Sequence, residues 1–316
     1  MTPLLAVRFT RLLALAMLLC LFGTAQASLR VPADLTSSPM RPHIEVLEDA
    51  SRRLTLAEVQ GPALASQFKP VAGTSNLNFG FSASAYWLRV RLTSAAAGPL
   101  GVLLEVAYPA LDRVDLHSVG QDAPVSFSSG YTLAFSSRPF EHRQLVFPIT
   151  LAPHAETTVY LRVVSRSSLT VPLTLWSPSA LHASDQHTYS ILALYFGMLL
   201  ALGAYNLLLY FSLRDPIYLI YVAFLASLAA SQAGILGLAA QFIWPHWPRG
   251  GELIQPAGYC LAGLFGTLLT RRLLATSEWA PRLDRLLAWT QMAFLLLAAS
   301  ALVAKWPGLT IAAALL

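Results

Sequence analysis

Three side chains with chemistry lie within six residues of one another: Arg138, His142 and Arg143, with Glu141 among them. Two fixed cations and a titratable ring can pair with a carboxylate or phosphate, or hydrogen-bond sugar hydroxyls. The stretch shows little strand pattern, and loops on a rigid scaffold are where binding groups concentrate. Tyr108, which could stack on a sugar ring, joins them as a candidate ligand contact. The bland alternative is a solvated loop in which Glu141 neutralises its neighbours. Tyr86, Trp87 and Trp176 admit the same two readings, stacking platform or sandwich core.

Other chemistry is missing from the pattern. The chain has no Gly-rich phosphate loop, no G-x-S-x-G and no H-E-x-x-H. Its seven histidines include no pair at helical metal-ligand spacing, and His182 and His187 read as a polar segment ahead of a membrane. Neither a catalytic residue, a metal site nor a cofactor is expected, and these residues are not read as an enzyme. Of two cysteines, Cys20 lies in an N-terminal leader and Cys260 in an apolar run, so a disulfide within the mature chain is excluded.

The elements that position the cluster divide near residue 188. Beyond it come four apolar runs, about Tyr189–Phe211, Ile217–Ala239, Leu253–Thr270 and Leu286–Ala304, and a fifth begins at Gly308. None of the four contains Lys, Arg, Asp or Glu, and each can span a hydrocarbon core of about 30 Å. The chain is 12% charged, against about a quarter in a soluble domain. The lipid bilayer is therefore a partner, and residues 189–316 read as an all-α transmembrane bundle.

Ahead of that bundle, Arg8 and Arg11, the apolar Leu12–Phe22 and the A-x-A triplet Ala25-Gln26-Ala27 describe a signal peptide over 1–27. Val31–Arg41, rich in Pro, Ser and Thr, reads as a linker or a strand entry, and 28–41 are assigned to a linker. Residues 42–178 read as an all-β sandwich. Tyr86–Thr93 alternates strictly, and further strands are expected at Gly101–Val106, Arg113–Ser118, Gln144–Ile149, Thr158–Val164 and Leu169–Trp176.

The net charge of +5 raises nucleic acid as a partner, and its distribution excludes it. From 28 to 188 twelve basic residues balance twelve acidic ones, and the excess flanks apolar runs. With the mature N-terminus outside, the loop Gln241–Glu252 falls in the periplasm. The loop from Arg271 to Arg285, with four Arg, then falls in the cytoplasm, as the positive-inside bias requires. The expected location is a bacterial inner membrane, multi-pass. Small residues every fourth position, Ala226-Ala230-Gly234 and Gly258-Ala262-Gly266, predict close helix packing. The end at Leu316, within a run, is read as a truncation.

Ser84–Leu92, Tyr108–Leu116, Phe135–Arg143, Tyr160–Val163 and Leu173–Pro178 together resemble the type 2 extracellular sensing domain of bacterial seven-transmembrane receptors with diverse intracellular signalling modules. Tyr195–Gly197, Tyr205–Leu207, Leu213–Asp215 and Ala239–Pro245 are similar to that family's membrane domain. The resemblance implies a jelly-roll, carbohydrate-binding-like periplasmic domain, seven spans, and a diguanylate cyclase, histidine kinase or similar output module after the last span. It implies a signal receptor for a small molecule, such as a carbohydrate or an anion, and is compatible with a homodimer. The alternative is a transport protein, or its accessory, with a capture domain, which the lack of intramembrane charge disfavours.

Overall fold

The computed structural model describes residues 28–71, 77–120, 124–166, 168–247 and 249–303. The expected signal peptide and the expected fifth run lie outside the described residues.

Thirteen strands come first among the described residues: β1 Leu29–Val31, β2 Ser37–Pro39, β3 Ile44–Asp49, β4 Lys69–Pro70, β5 Asn78–Phe81, β6 Ala85–Ser94, β7 Leu100–Val106, β8 Arg113–Val119, β9 Val125–Ser129, β10 Leu145–Leu151, β11 Glu156–Val164, β12 Ser168–Thr170 and β13 Leu173–Trp176. One sheet runs β4-β3-β6-β11-β8-β9 with β1 added in parallel to β6, and a second runs β10-β7-β13-β2. Period-two alternation aims Leu88, Val90, Leu92, Leu116 and Leu161 of the first sheet at Val102, Leu104, Phe147, Leu173 and Leu175 of the second. These side chains form one buried cluster, the core of a two-layer sandwich. Each fully buried side chain contributes about 1.5–3 kcal/mol by removal from water.

The outer face of the larger sheet has a core of its own. Thr55 caps α1, Leu56–Gln60, in a reciprocal capping box with Glu58, and α2, Pro62–Ala65, follows at once. Under them Leu47, Val59, Phe68, Trp87 and Tyr160 cluster. Arg89 survives there because its Nε donates to Glu45 at 2.6 Å and its guanidinium lies 4.2 Å over the Phe68 ring. Trp87 is thus a core residue.

Segment 28–41, expected as a linker, carries strands. β1 pairs with the end of β6, and β2 pairs with β13 as an edge strand. Backbone pairing here rests on neighbours far along the chain, which a three-residue pattern does not reveal. The expected strand Leu169–Trp176 divides into β12 and β13 around Val171-Pro172, since Pro172 has no N–H to give a ladder.

The helical half has α3 Pro178–Leu213, α4 Pro216–Ile235, α5 Leu238–Phe242, α6 Arg249–Leu273, α7 Thr276–Trp279 and α8 Pro281–Val303. Among the described residues three helices, Pro178–Leu213, Pro216–Ile235 and Leu253–Leu273, are long and apolar enough to cross a membrane. α3 is longer than its apolar run. Its N-cap is Ser177, which accepts from the Ala180 N–H, with Pro178 at the first helical position. Its 36 residues extend about 54 Å, more than the hydrocarbon core needs, so about its first three turns stand outside it.

Small residues set the helix contacts. Gly258 of α6 meets the Ser227 carbonyl and the Ser231 side chain of α4, and Gly234 meets Gln255. Ser231 donates to the Gln255 carbonyl at 2.6 Å. Gly263, outside the expected rows, faces the Phe294 ring of α8. At the far end Arg271 of α6 grips Asp284 of α8 through Nε and Nη2 at 2.8 and 2.9 Å and Gln291 through Nη1. Hydrogen bonds from Arg271 and Thr276 hold the Asp284 carboxyl down to about 2.

Candidate functional site at the joint between sheet and helices

The segment from Gly130 to Gln144 leaves β9, crosses the end of the sandwich and returns as β10. It does not wave in solvent. It is stapled from within and seated on the helices.

Arg138 is the staple. Its Nη1 lies 2.7 Å from the carbonyl oxygen of His142 and 3.1 Å from those of Arg143 and Gln144. Its guanidinium lies 4.7 Å over the Phe135 ring. Burial pushes the Arg138 group down to about 10, which leaves it a cation at neutral pH. One cation thus collects three carbonyls that the bend withdraws from any ladder, which is how a turn without strand partners satisfies its backbone.

His142 is the bridge. The ring is 3% exposed, and its Nε2 lies 2.9 Å from Oδ1 of Asp185 on α3. The Gln144 backbone N–H donates to Nδ1 at 3.1 Å. A backbone N–H can only donate, so Nδ1 is the acceptor and Nε2 carries the proton given to Asp185. Tyr189, one turn further along α3, meets the imidazole edge-on and lies 5.7 Å below the guanidinium of Arg143. The Tyr189 hydroxyl donates to Oε1 of Gln241 on α5 at 2.9 Å.

Arg143 provides the seat. Gly237, between α4 and α5, has φ of +78° and lies against the Arg143 carbonyl and Pro109. A Cβ built there would overlap the Arg143 carbonyl oxygen, so only glycine permits this approach. Two further bonds fix the segment. The Phe135 N–H donates to the Pro245 carbonyl at 2.9 Å, and the Tyr131 hydroxyl donates to Oε1 of Gln255 on α6 at 3.0 Å.

Glu105 of β7 completes the cluster. Trp176 Nε1 donates to its Oε2 at 2.8 Å, and burial pushes the Glu105 carboxyl above its ordinary value against that hydrogen bond and the nearby His142 and Arg143. Trp176 itself packs with Leu103, Val146 and Leu181, so the last strand and the first turn of α3 share one apolar contact.

The structure therefore brings Arg138, His142 and Arg143 together. The Tyr108 side chain packs against the sandwich core, and its neighbour Pro109 reaches Gly237. Sequence reasoning missed Glu105, Tyr131, Asp185, Tyr189, Gly237 and Gln241. Asp185 had a signal, a lone carboxylate just ahead of an apolar run. Gly237 had another, a glycine at the end of a helical pattern. Glu105 had none, because β7 alternation does not say which face a helix will cover. The connected groups can hold two domains in register and can respond to charge.

A family model described as 7TMR-DISM extracellular 2 matches residues 41–177, and one described as 7TM diverse intracellular signalling matches residues 188–316. No curated protein matches the chain. Among solved structures it is similar to a Bacillus thuringiensis Cry1Da tryptic core variant, at 13% identity and a TM-score of 0.24, over 47% of this chain and 24% of that one. A likeness of that size carries no argument.

Proposed function

We propose how this chain works from one premise: it belongs to the 7TMR-DISM family, the seven-transmembrane receptors with diverse intracellular signalling. It is a membrane protein that joins an extracellular sensing domain to a signalling membrane domain. On our reading it sits in a bacterial inner membrane with the sandwich in the periplasm. The sandwich, a jelly roll of carbohydrate-binding type, takes a small molecule such as a carbohydrate or an organic anion. An output module following further spans in a longer form would carry the result.

The observation that supports this reading most is the seat of Arg143 on Gly237. A tethered capture domain needs no shape-matched contact with the helices. A receptor does, because a ligand moves an equilibrium only through contacts that differ between its two states. The sandwich touches the helices covalently at β13–Ser177–α3 and again through the Gly130–Gln144 segment. For Tyr108, Arg138, His142 and Arg143 these contacts favour a part in relaying the signal over direct contact with the ligand.

Cys260 gives the test. It is fully buried between α6 and α8, beside Leu297 and Ala298. The protein in lipid vesicles is screened by thermal shift against monosaccharides, dicarboxylates and phosphate esters. A compound that raises the melting temperature is then added while a small maleimide labels Cys260. The labelling rate is expected to change several-fold. A compound that binds and leaves the rate unaltered sinks the receptor reading. Orientation is checked separately with periplasm-active reporter fusions, expected active in the Gln241–Glu252 loop and silent in the Arg271–Arg285 loop.

A further inference from the structure

We propose that His142 is a proton-operated latch: one proton from solvent, taken up on Nδ1, shifts the imidazole from holding the Gly130–Gln144 turn to holding α3. The inference rests on the receptor reading above and names a proton as one of its signals.

The geometry sets the two states. In the neutral ring Nδ1 accepts from Gln144 N–H, 3.1 Å away, and Nε2–H donates to Asp185, 2.9 Å away. An imidazolium carries N–H on both nitrogens, so it cannot accept at Nδ1. The Gln144 amide then faces a donor and must turn away. On the other side the neutral hydrogen bond to Asp185 becomes a charge-assisted pair, roughly twice as strong. The same proton therefore weakens a bond inside the turn and strengthens the bond to the first span.

The surroundings make this costly to evade. The ring is 3% exposed and Gln144 8% exposed, so a displaced N–H does not simply find water. Oε1 of Gln144 is buried without a hydrogen-bond partner, a spare acceptor on the residue whose N–H would be displaced. Gln144 follows Arg143, whose carbonyl is the seat for Gly237, and both carbonyls also bind Arg138. Rotation of the 143–144 peptide thus lifts the seat off the α4–α5 turn.

The charged and titratable groups facing the ring come from three elements. Glu105 comes from β7, Asp185 and Tyr189 from α3, and Arg138 and Arg143 from the segment itself, whose Glu141 is exposed to solvent. The two carboxylates favour the cation and the two guanidinium groups oppose it. Both carboxylates come from elements outside the turn, so the proton's attraction is toward the sandwich and α3.

The test uses the whole chain in vesicles, with Cys260→Ser and nitroxides on Ser136→Cys and Phe242→Cys, both exposed positions on either side of the seat. As the pH is lowered the interspin distance is expected to lengthen, in step with conversion of the ¹⁵N signals of the His142 ring from one protonated nitrogen to two. His142→Gln, whose amide N–H can still reach Asp185 but takes no proton, should hold the short distance throughout. Glu105→Gln should keep the pH response. If His142→Gln still responds while Glu105→Gln does not, the carboxylate is the switch and the proposal is overturned. It is equally overturned if the ring protonates and the distance stays fixed. A ligand that alters Cys260 labelling in a protein indifferent to pH would leave the receptor reading standing and remove only the latch.

Discussion

The Tyr131 hydroxyl donates to Oε1 of Gln255 at 3.0 Å, and Gln255 immediately precedes Pro256, the proline inside α6. A residue of the sandwich therefore holds α6 at the point where proline removes one of its own backbone hydrogen bonds. The same Gln255 gives its carbonyl to Ser231 of α4, so the grip reaches two spans. Tyr131→Phe removes the donor and keeps the ring. The expected loss is about 1 kcal/mol of stability, read as a lower melting temperature of the whole protein. Cys260, farther along α6, should be labelled faster. A variant identical to the parent in both readouts would show that the sandwich exerts no hold on α6.

The seat of Gly237 predicts a protease result. Trypsin cuts after Arg, and Arg143 is 9% exposed beneath the α4–α5 turn. Gly237→Ala places a Cβ against the Arg143 carbonyl and also strains a left-handed backbone by about 1–2 kcal/mol. The turn must withdraw, and the Arg138 and Arg143 bonds should be cut many times faster than in the parent protein. Ala at Gly203, which has open space around its Cβ, is the control and should change nothing. Equal cleavage in all three proteins would mean that the contact is not made in solution.

Strand alternation made the sandwich legible where strands are long. β6, β7, β8, β10 and β11 lie within a few residues of their expected bounds because each runs for seven residues or more, long enough for its apolar residues to show a pattern. β1, β2 and β4, three residues or fewer, show no period. β3 also escaped, since Glu45 and Asp49 are buried in it, one paired with Arg89 and the other bonded to Ser51 and the Leu54 N–H. The site was half legible. The density of charge around Arg138 marks the segment that meets the helices. Its partners lie on β7, α3, α5 and α6, and nothing local in a sequence says which distant elements a loop will touch.

The pairing of β1 and β2 sets the smallest stable fragment of the sandwich. A chain of residues 28–177 is expected to melt cooperatively with a β-type circular dichroism spectrum. Beginning at 42 removes Val31 and Met40, both fully buried, and leaves β13 a bare edge. Burial of that size is worth several kcal/mol, so the shorter fragment should melt many degrees lower or aggregate through β13. Equal melting temperatures would show that both strands are accessory.

Glu105 yields a pH dependence whose sign can be worked out. Burial raises its folded-state value above the unfolded one, and the Trp176 hydrogen bond only partly offsets this. The folded state therefore binds the proton more tightly than the unfolded chain, and stability from this group is fully present below the unfolded value. It is lost as pH rises through the raised one. Glu105→Gln keeps an oxygen for the Trp176 Nε1–H and never ionises. At pH 8 the variant should melt higher than the parent, and the gap should close as pH falls toward the ordinary carboxylate range. Melting curves of both proteins from pH 8 to pH 4 measure it. A variant less stable than the parent at pH 8 would show that the ionised carboxylate, held by Arg143 and His142, supports the joint.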